Sequence, residues 1–261
     1  MNEKDISHPE SPEVPAESFT GAQLAQELAT IKSEGSIESI PPEHVKALEQ
    51  LPVNPHLKKE LLLIQMGLKP ATDREFRSPA APEGQQIESL KPEDIAECAT
   101  LTGYLDRAGL KYHIEDKVVG VWHDQLHGRE GEQYQRDNPD RDFDELLKHD
   151  RYEQRRTVAI GRDDDAIGAM EEANRTRDPV LLGRAYGFPE TAIAAFNAQE
   201  DLIGLEELKE LVPDPALRAF IPRLSRNHWR EELAQGQRDL EAVRQISPVI
   251  LEELMQAIRK R

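Results

Sequence analysis

The sequence predicts an α+β fold that is mostly helical, with a small three-stranded antiparallel sheet packed on helices and with helical N- and C-terminal extensions. Two observations predict this class. Apolar residues recur at steps of three and four through most of the 261-residue chain, which is typical of amphipathic helices. Alternation of apolar and polar residues, or a short apolar run, marks strands only at residues 110–115, 118–122 and 157–161.

Composition and periodicity divide the chain into five parts. Residues 1–18 mix proline with glutamate and are predicted to be a disordered acidic lead. Residues 19–68 carry helical periodicity and are predicted to form a small helical unit. Residues 69–91 are rich in proline without apolar periodicity, which is typical of a flexible linker. Residues 92–223 are predicted to form an α+β core domain, followed by C-terminal helices over 224–261.

The predicted sheet begins with a hairpin. Residues 110–115 alternate, Asp116-Lys117 suits a turn, and residues 118–122 would return as the second strand. The third strand, 157–161, follows a long polar segment, 123–156. Long segments of this kind between strands are often functional loops.

Several helix ends are marked by single residues. Gly109 would end a helix over 92–108, and one of the three aspartates 163–165 would cap the next helix. Ser247-Pro248 is a typical cap and first residue for the last helix.

Charge and composition exclude several classes of function. The chain has 33 Lys+Arg against 50 Asp+Glu, so its formal net charge is −17, which argues against nucleic-acid partners. Its longest apolar run, residues 61–64, is far shorter than the roughly 20 residues of a membrane span, and the polar N-terminus is unlike a secretory signal. The single cysteine, Cys98, cannot form an internal disulfide and lies on an apolar stripe, which predicts a buried thiol. We therefore expect a cytoplasmic protein without membrane contact.

One motif resembles a metal site. His123-Asp124-Gln125-Leu126-His127 has the form H-D-x-x-H, and on a helix both imidazoles would share one face and could hold zinc. Gly128 would end that helix at once, Asp124 is shorter than the usual glutamate, and a third ligand is not obvious. A metal-dependent hydrolase using His123, Asp124 and His127 is therefore the alternative hypothesis, and no cofactor is expected otherwise.

The most distinctive pattern is the turn from Gly183 to Pro189. It contains two glycines and an aromatic-proline step, and its Arg184, Tyr186, Gly187, Phe188 and Pro189 are candidate binding residues. They would either line a small pocket or form a packed turn between two helices.

This turn resembles the G-[KR]-x-x-G-[FY]-P signature of a poorly characterised microbial domain of unknown function. In that family the turn often leads into a helix through two cysteines, where this chain has Thr191-Ala192. The resemblance implies a fold unit and no established activity.

The chain shows no complete set of catalytic residues, so the sequence favours a non-catalytic protein-interaction or regulatory module. Trp229, Leu233, Gly236, Leu240 and Val243 follow one another at steps of four and three, like the seam of a coiled coil. This seam predicts a protein partner or self-association through helical segments.

Overall fold

The structure, a computed structural model, describes residues 39–82, 84–121, 151–198, 202–221 and 224–260. The predicted acidic lead, the first predicted helix of the helical unit and the polar segment 123–150 lie outside these residues. The chain forms two compact units: the larger holds residues 36–188 and 241–261, and the smaller includes residues 189–240.

The described residues confirm an α+β fold that is mostly helical. The helices are α1 (Pro42–Glu49), α2 (Pro55–Gln65), α3 (Pro92–Ala108), α4 (Asp164–Thr176), α5 (Pro179–Ala185), α6 (Glu190–Asn197), α7 (Leu205–Leu211), α8 (Pro215–Arg218), α9 (Trp229–Ile246) and α10 (Pro248–Arg259). The strands are β1 (Ala71–Arg77), β2 (Ala81–Pro82), β3 (Lys111–Val121) and β4 (Arg151–Gly161). None of these helices has the length and apolarity needed to cross a membrane.

The sheet is antiparallel, and β4 is its central strand. β3 pairs with β4 over its whole length, from Lys111 opposite Gly161 to Val121 opposite Arg151. Since one edge of β4 is thereby filled, β1 and β2 share the other edge, where Ala71 lies opposite Gly161. The described sheet therefore has four strands where the sequence predicted three.

The predicted hairpin at Asp116-Lys117 is wrong, because residues 111–121 form one continuous strand. Asp116 lies opposite Arg156 in the register, and the Arg156 guanidinium donates to both carboxylate oxygens of Asp116 at 2.7 Å. Lys117 lies opposite Arg155 and forms an ion pair with Glu115. These contacts hold a polar pair within a strand, where local sequence rules predicted a turn.

Strand β1 lies inside residues 69–91, for which the sequence predicted a linker. The strand reads Ala-Thr-Asp-Arg-Glu-Phe-Arg and has no apolar alternation. It forms because its backbone pairs with β4 from Gly161 back to Arg155, so tertiary pairing overrides a weak local signal.

Helices cover both faces of the sheet. On one face Ala71 and Ala159 pack with Ile167, Met170 and Ala173 of α4. The alternate residues point to the other face, where Arg74 donates to Glu97 of α3 at 2.9 Å. The sheet is thus the middle layer of the larger unit.

The last helix closes the larger unit. Lys58 of α2 donates to Glu253 of α10 at 2.8 Å, and Ser247 donates to Glu49 at 2.7 Å. Ile250 is fully buried. Residues 39–68 therefore pack into the same unit as the sheet and the C-terminal helix.

The predicted seam of α9 is buried, and its first four residues, 229 to 240, lie in the smaller unit. Trp229 and Leu233 are 3% and 0% exposed, and Gly236 leaves no room for a Cβ beside Ile221. Ser225 donates to the fully buried Glu232 through both its amide and its hydroxyl at 2.7 Å. Since its apolar residues pack inside the chain, this seam does not present a free surface to a partner.

Candidate functional site: a polar cleft beside strand β1

The distinctive turn ends helix α5 in a Schellman motif. The Phe188 amide donates to the Gly183 carbonyl, and the Gly187 amide donates to the Arg184 carbonyl, both at 2.9 Å. Gly187 has φ +72°, the left-handed conformation that this motif requires after the helix. The pattern of two glycines is thus explained by the backbone of a helix end.

Gly187 also packs against Pro70, the residue that precedes strand β1. A Cβ built on Gly187 would come within 2.7 Å of Cδ of Pro70, the residue before β1. This close approach brings the side chain of Tyr186 alongside the first residues of the strand.

Tyr186 is the residue of the turn whose side chain contacts charged residues outside the turn. Its hydroxyl donates to Oδ1 of Asp73 on β1 at 2.8 Å. Its ring stacks on Phe188, with centroids 6.1 Å apart, and Nζ of Lys69 lies 5.3 Å from the ring centroid. Tyr186 is therefore held from three sides.

Asp73 and Tyr186 lie on the wall of a cleft of about 640 Å³ between α2, β1, α4 and the end of α5. The lining is mostly polar and comprises Asn54, His56, Leu57, Glu60, Thr72, Asp73, Arg74, Glu75, Arg77, Asn174 and Tyr186. Small-molecule pockets are usually lined mainly by apolar side chains, so this cleft differs from them.

Glu60, a carboxylate of the cleft, is neutralised by two lysines. It forms ion pairs with Lys69 and, at 2.8 Å, with Lys59. Burial alone would raise the pKa of Glu60, but the attraction of Lys69 and Lys59 outweighs it and lowers that pKa.

The charges farther along β1 are matched as well. Glu75 pairs with Arg77 at 2.5 Å and with Arg155 at 3.2 Å, and Arg74 pairs with Glu97 at 2.9 Å. Each of these side chains has an opposite charge beside it, so none of them leaves an uncompensated charge next to the cleft.

Asp73 differs from the other carboxylates of the cleft. It is half-buried, and within the described part of the chain no lysine or arginine forms an ion pair with it. Burial raises the pKa of Asp73, and the hydrogen bond from Tyr186 and the more distant charge of Lys69 offset only part of that effect. The pKa of Tyr186 is raised in turn, by burial first and then by the Asp73 carboxylate.

The five predicted binding residues lie in different positions relative to the cleft. Tyr186 lines the cleft, and Gly187 shapes the turn that positions it. Phe188 is 45% exposed and touches the cleft only through its stacking on Tyr186. Arg184 is exposed, and Pro189 occupies the N-cap position of α6, a helix of the smaller unit, without a side-chain capping bond.

Sequence reasoning missed Asp73 because it assigned residues 69–91 to a linker. Asp73 and Tyr186 are 113 positions apart, and no local pattern connects them. The sequence offers no signal for Asp73, because residues 71–77 hold a single large apolar side chain and do not resemble a strand.

The other candidate residues are accounted for as follows. Cys98 is buried, as predicted, at 4% exposure. His123, Asp124 and His127 lie outside the described residues, so the metal-dependent hydrolase stays a prediction. Within the residues that are described, no group of three or more His, Cys, Asp or Glu side chains could hold a metal ion.

Comparison with known proteins gives no relative. The chain matches no family model, no curated protein and no solved structure. The likeness of the turn at 183–189 to the microbial domain therefore rests on the residues of the turn alone.

Proposed function

We propose that this chain is a non-catalytic protein-interaction module and that its polar cleft binds a basic side chain of a partner protein. The observation that carries the proposal is Asp73. Its half-buried carboxylate accepts a hydrogen bond from Tyr186 and, among the described residues, forms no ion pair with a lysine or arginine; the charge of Lys69 acts on it only from a greater distance.

A basic side chain fits this position because the remaining charges of the cleft are already matched. A carboxylate that is partly removed from water and has no ion pair of its own gains most from an ammonium or guanidinium group. Glu60 and Glu75 have their own lysines and arginines, so they do not compete for the incoming charge.

The whole chain supports a basic partner as well. Its formal net charge of −17 attracts cationic surfaces over long range and speeds association with them. The cytoplasmic location expected from the sequence is part of this proposal.

The test is a titration of the full-length protein, followed by NMR, with two short capped peptides. One contains a central lysine, and the other contains acetyl-lysine at the same position. We expect the lysine peptide to shift the resonances of Asp73 and Tyr186, and the acetylated peptide to leave them unchanged because it lacks the charge.

Asp73→Asn is the decisive variant, because it keeps an oxygen for the Tyr186 hydroxyl and removes only the charge. Asp164→Asn, at an exposed position in the first turn of α4, is the matched control. We expect Asp73→Asn to abolish the shifts and Asp164→Asn to preserve them. Equal binding of the two peptides, or undiminished binding by Asp73→Asn, would contradict the proposal.

A further inference from the structure

The outer edge of β3 is a second surface, separate from the cleft. β3 is an eleven-residue strand that pairs, among the described residues, with β4 alone. Long edge strands carry unpaired backbone groups and readily accept another strand. Two large apolar side chains of β3 are also exposed, Ile114 at 38% and Val118 at 58%.

The sequence of β3 is complementary to itself in the antiparallel direction. When a second copy is aligned about a two-fold axis at Asp116, Ile114 lies opposite Val118 of that copy. In the same register Glu115 lies opposite Lys117 of the second copy, and both pairs occur twice because of the symmetry. Apolar and opposite-charge pairs in these positions stabilise antiparallel strands.

The ends of the strand fit the same register. Tyr112 would lie opposite Gly120 of the second copy, and an aromatic ring across from a glycine compensates for the missing side chain. His113 would lie opposite Val119, so this alignment opposes no other like-charged pair of side chains. Lysine on an edge strand usually discourages pairing, but here each Lys117 meets a glutamate.

Asp116 is the one residue that would face its own copy. Like charges directly opposite one another are destabilising. The Arg156 guanidinium, however, binds both oxygens of Asp116 at 2.7 Å, and this contact lowers the pKa of Asp116. The axis would therefore hold two neutralised pairs in place of two bare carboxylates.

We propose that the chain forms a two-fold symmetric dimer through antiparallel pairing of β3 with β3 of a second copy. The sheets of the two copies then join into one, with on the order of ten backbone hydrogen bonds across the new pair. This inference does not rest on the function proposed for the cleft, which lies beside β1 on the opposite edge of the sheet.

A charge exchange tests the register. Lys117→Glu and Glu115→Lys each turn two attractive cross-strand pairs into two repulsive ones, so we expect each variant alone to dimerise at least about tenfold more weakly in analytical ultracentrifugation. Mixed together, the two variants restore both opposite-charge pairs, and we expect a heterodimer close to the wild-type affinity. Lys91→Glu, the same charge change outside β3, should leave the dimer intact.

A cross-link tests the position of the axis. Cys98 is buried, so a cysteine introduced on β3 is the accessible thiol of the described residues. Asp116→Cys should form a disulfide-linked dimer under mild oxidation. Lys111→Cys should not, because the two copies of residue 111 lie roughly 33 Å apart in this register at about 3.3 Å per residue.

Three results would overturn the proposal. The first is a wild-type protein that remains monomeric in analytical ultracentrifugation at about 0.1 mM, a concentration at which a dimer with a micromolar dissociation constant would be largely formed. The second is a mixture of the two charge variants that is no more dimeric than either alone. The third is a dimer that cross-links through residue 111 and not through residue 116, which would place the interface in another register or on another partner.

Discussion

At Gly187 the chain needs a residue without a side chain for two separate reasons. The Schellman motif requires a positive φ, and the ring of Pro70 occupies the space that a Cβ would fill. Gly109 at the end of α3 shares the first requirement, with φ +70°, but nothing lies within 4 Å of its Cβ position. A comparison of substitutions at the two glycines therefore distinguishes the cost of backbone strain from the cost of steric contact.

We expect Gly187→Ala to lower the free energy of unfolding by about 2–3 kcal/mol, because left-handed strain of roughly 1–2 kcal/mol adds to the contact with Pro70. Gly109→Ala should cost only about 1–2 kcal/mol, which is the strain alone. Urea unfolding of both variants measures the difference. Equal losses would mean that Pro70 moves away freely and that the close approach does not fix the turn.

Asp73 is the residue where stability and binding are expected to oppose each other. Its pKa is raised in the folded protein by burial, so between the ordinary value of 3.8 and the raised value the folded state binds more protons than the unfolded state. The contribution of Asp73 to stability therefore falls as the pH rises through that window. Above the raised pKa, the full cost of an ionised, half-buried carboxylate is present.

We expect Asp73→Asn to be more stable than the wild type at neutral pH, because the amide keeps the Tyr186 hydrogen bond without the buried charge. The advantage should shrink as the pH falls below the raised pKa and vanish near pH 3, where Asp73 is protonated in both states, on the order of one unit below its ordinary pKa. Unfolding curves over a pH series measure this. An advantage of the same size at every pH would show that the charge of Asp73 is not its cause.

At the scale of elements, the C-terminal helix α10 is fixed to α1 through one serine. Ser247 is fully buried, accepts a hydrogen bond from the Ile250 amide as the cap of α10, and donates to Glu49 at 2.7 Å. The local cap and the long-range contact thus share one hydroxyl. Asp163 of α4 caps the Ala166 amide in the same way but is exposed.

We expect Ser247→Ala to cost about 2 kcal/mol, since it removes a cap and leaves the Glu49 carboxylate without this donor. Asp163→Ala should cost roughly 1 kcal/mol, the value of a cap alone. Thermal or denaturant unfolding distinguishes the two. A loss at Ser247 no larger than that at Asp163 would mean that the contact with Glu49 contributes nothing to the attachment of α10.

At the scale of the whole molecule, the larger unit places its two proposed surfaces on opposite edges of one sheet. The cleft lies beside β1 and the dimer edge is β3, with β4 between them. A partner in the cleft and a second copy on β3 can therefore be bound at the same time. Such a dimer would offer two clefts to a partner with repeated basic side chains, and this raises the apparent affinity.

Much of the helical structure could be predicted from sequence because the signals are local. Asp163 and Ser247 cap their helices as expected, and Gly109 ends α3 in the left-handed conformation. Each of these contacts joins a side chain to backbone only a few residues away, so the information lies within a short window. Apolar spacing likewise predicted a buried Cys98.

The extent of the sheet could not be predicted in the same way. β1 carries too few apolar residues to be recognised, and β3 continues through Asp116 and Lys117, which resemble a turn. Both strands are stabilised by pairing with β4 and by ion pairs across strands, such as that of Asp116 with Arg156. These partners are far away in the chain, so no local window contains them.

The sequence by itself determined the fold class, most helix ends, the acidic character of the chain and the glycine-containing turn at 183–189. Only the tertiary structure decided that this turn places the Tyr186 hydroxyl within hydrogen-bond distance of Asp73. It also decided that the seam of α9 is buried within the chain and that β3 lies at the edge of the sheet that the described residues form. The physical reason is that caps and turns depend on bonds between neighbours, whereas a cleft or a free edge depends on which distant segments fill the space around it.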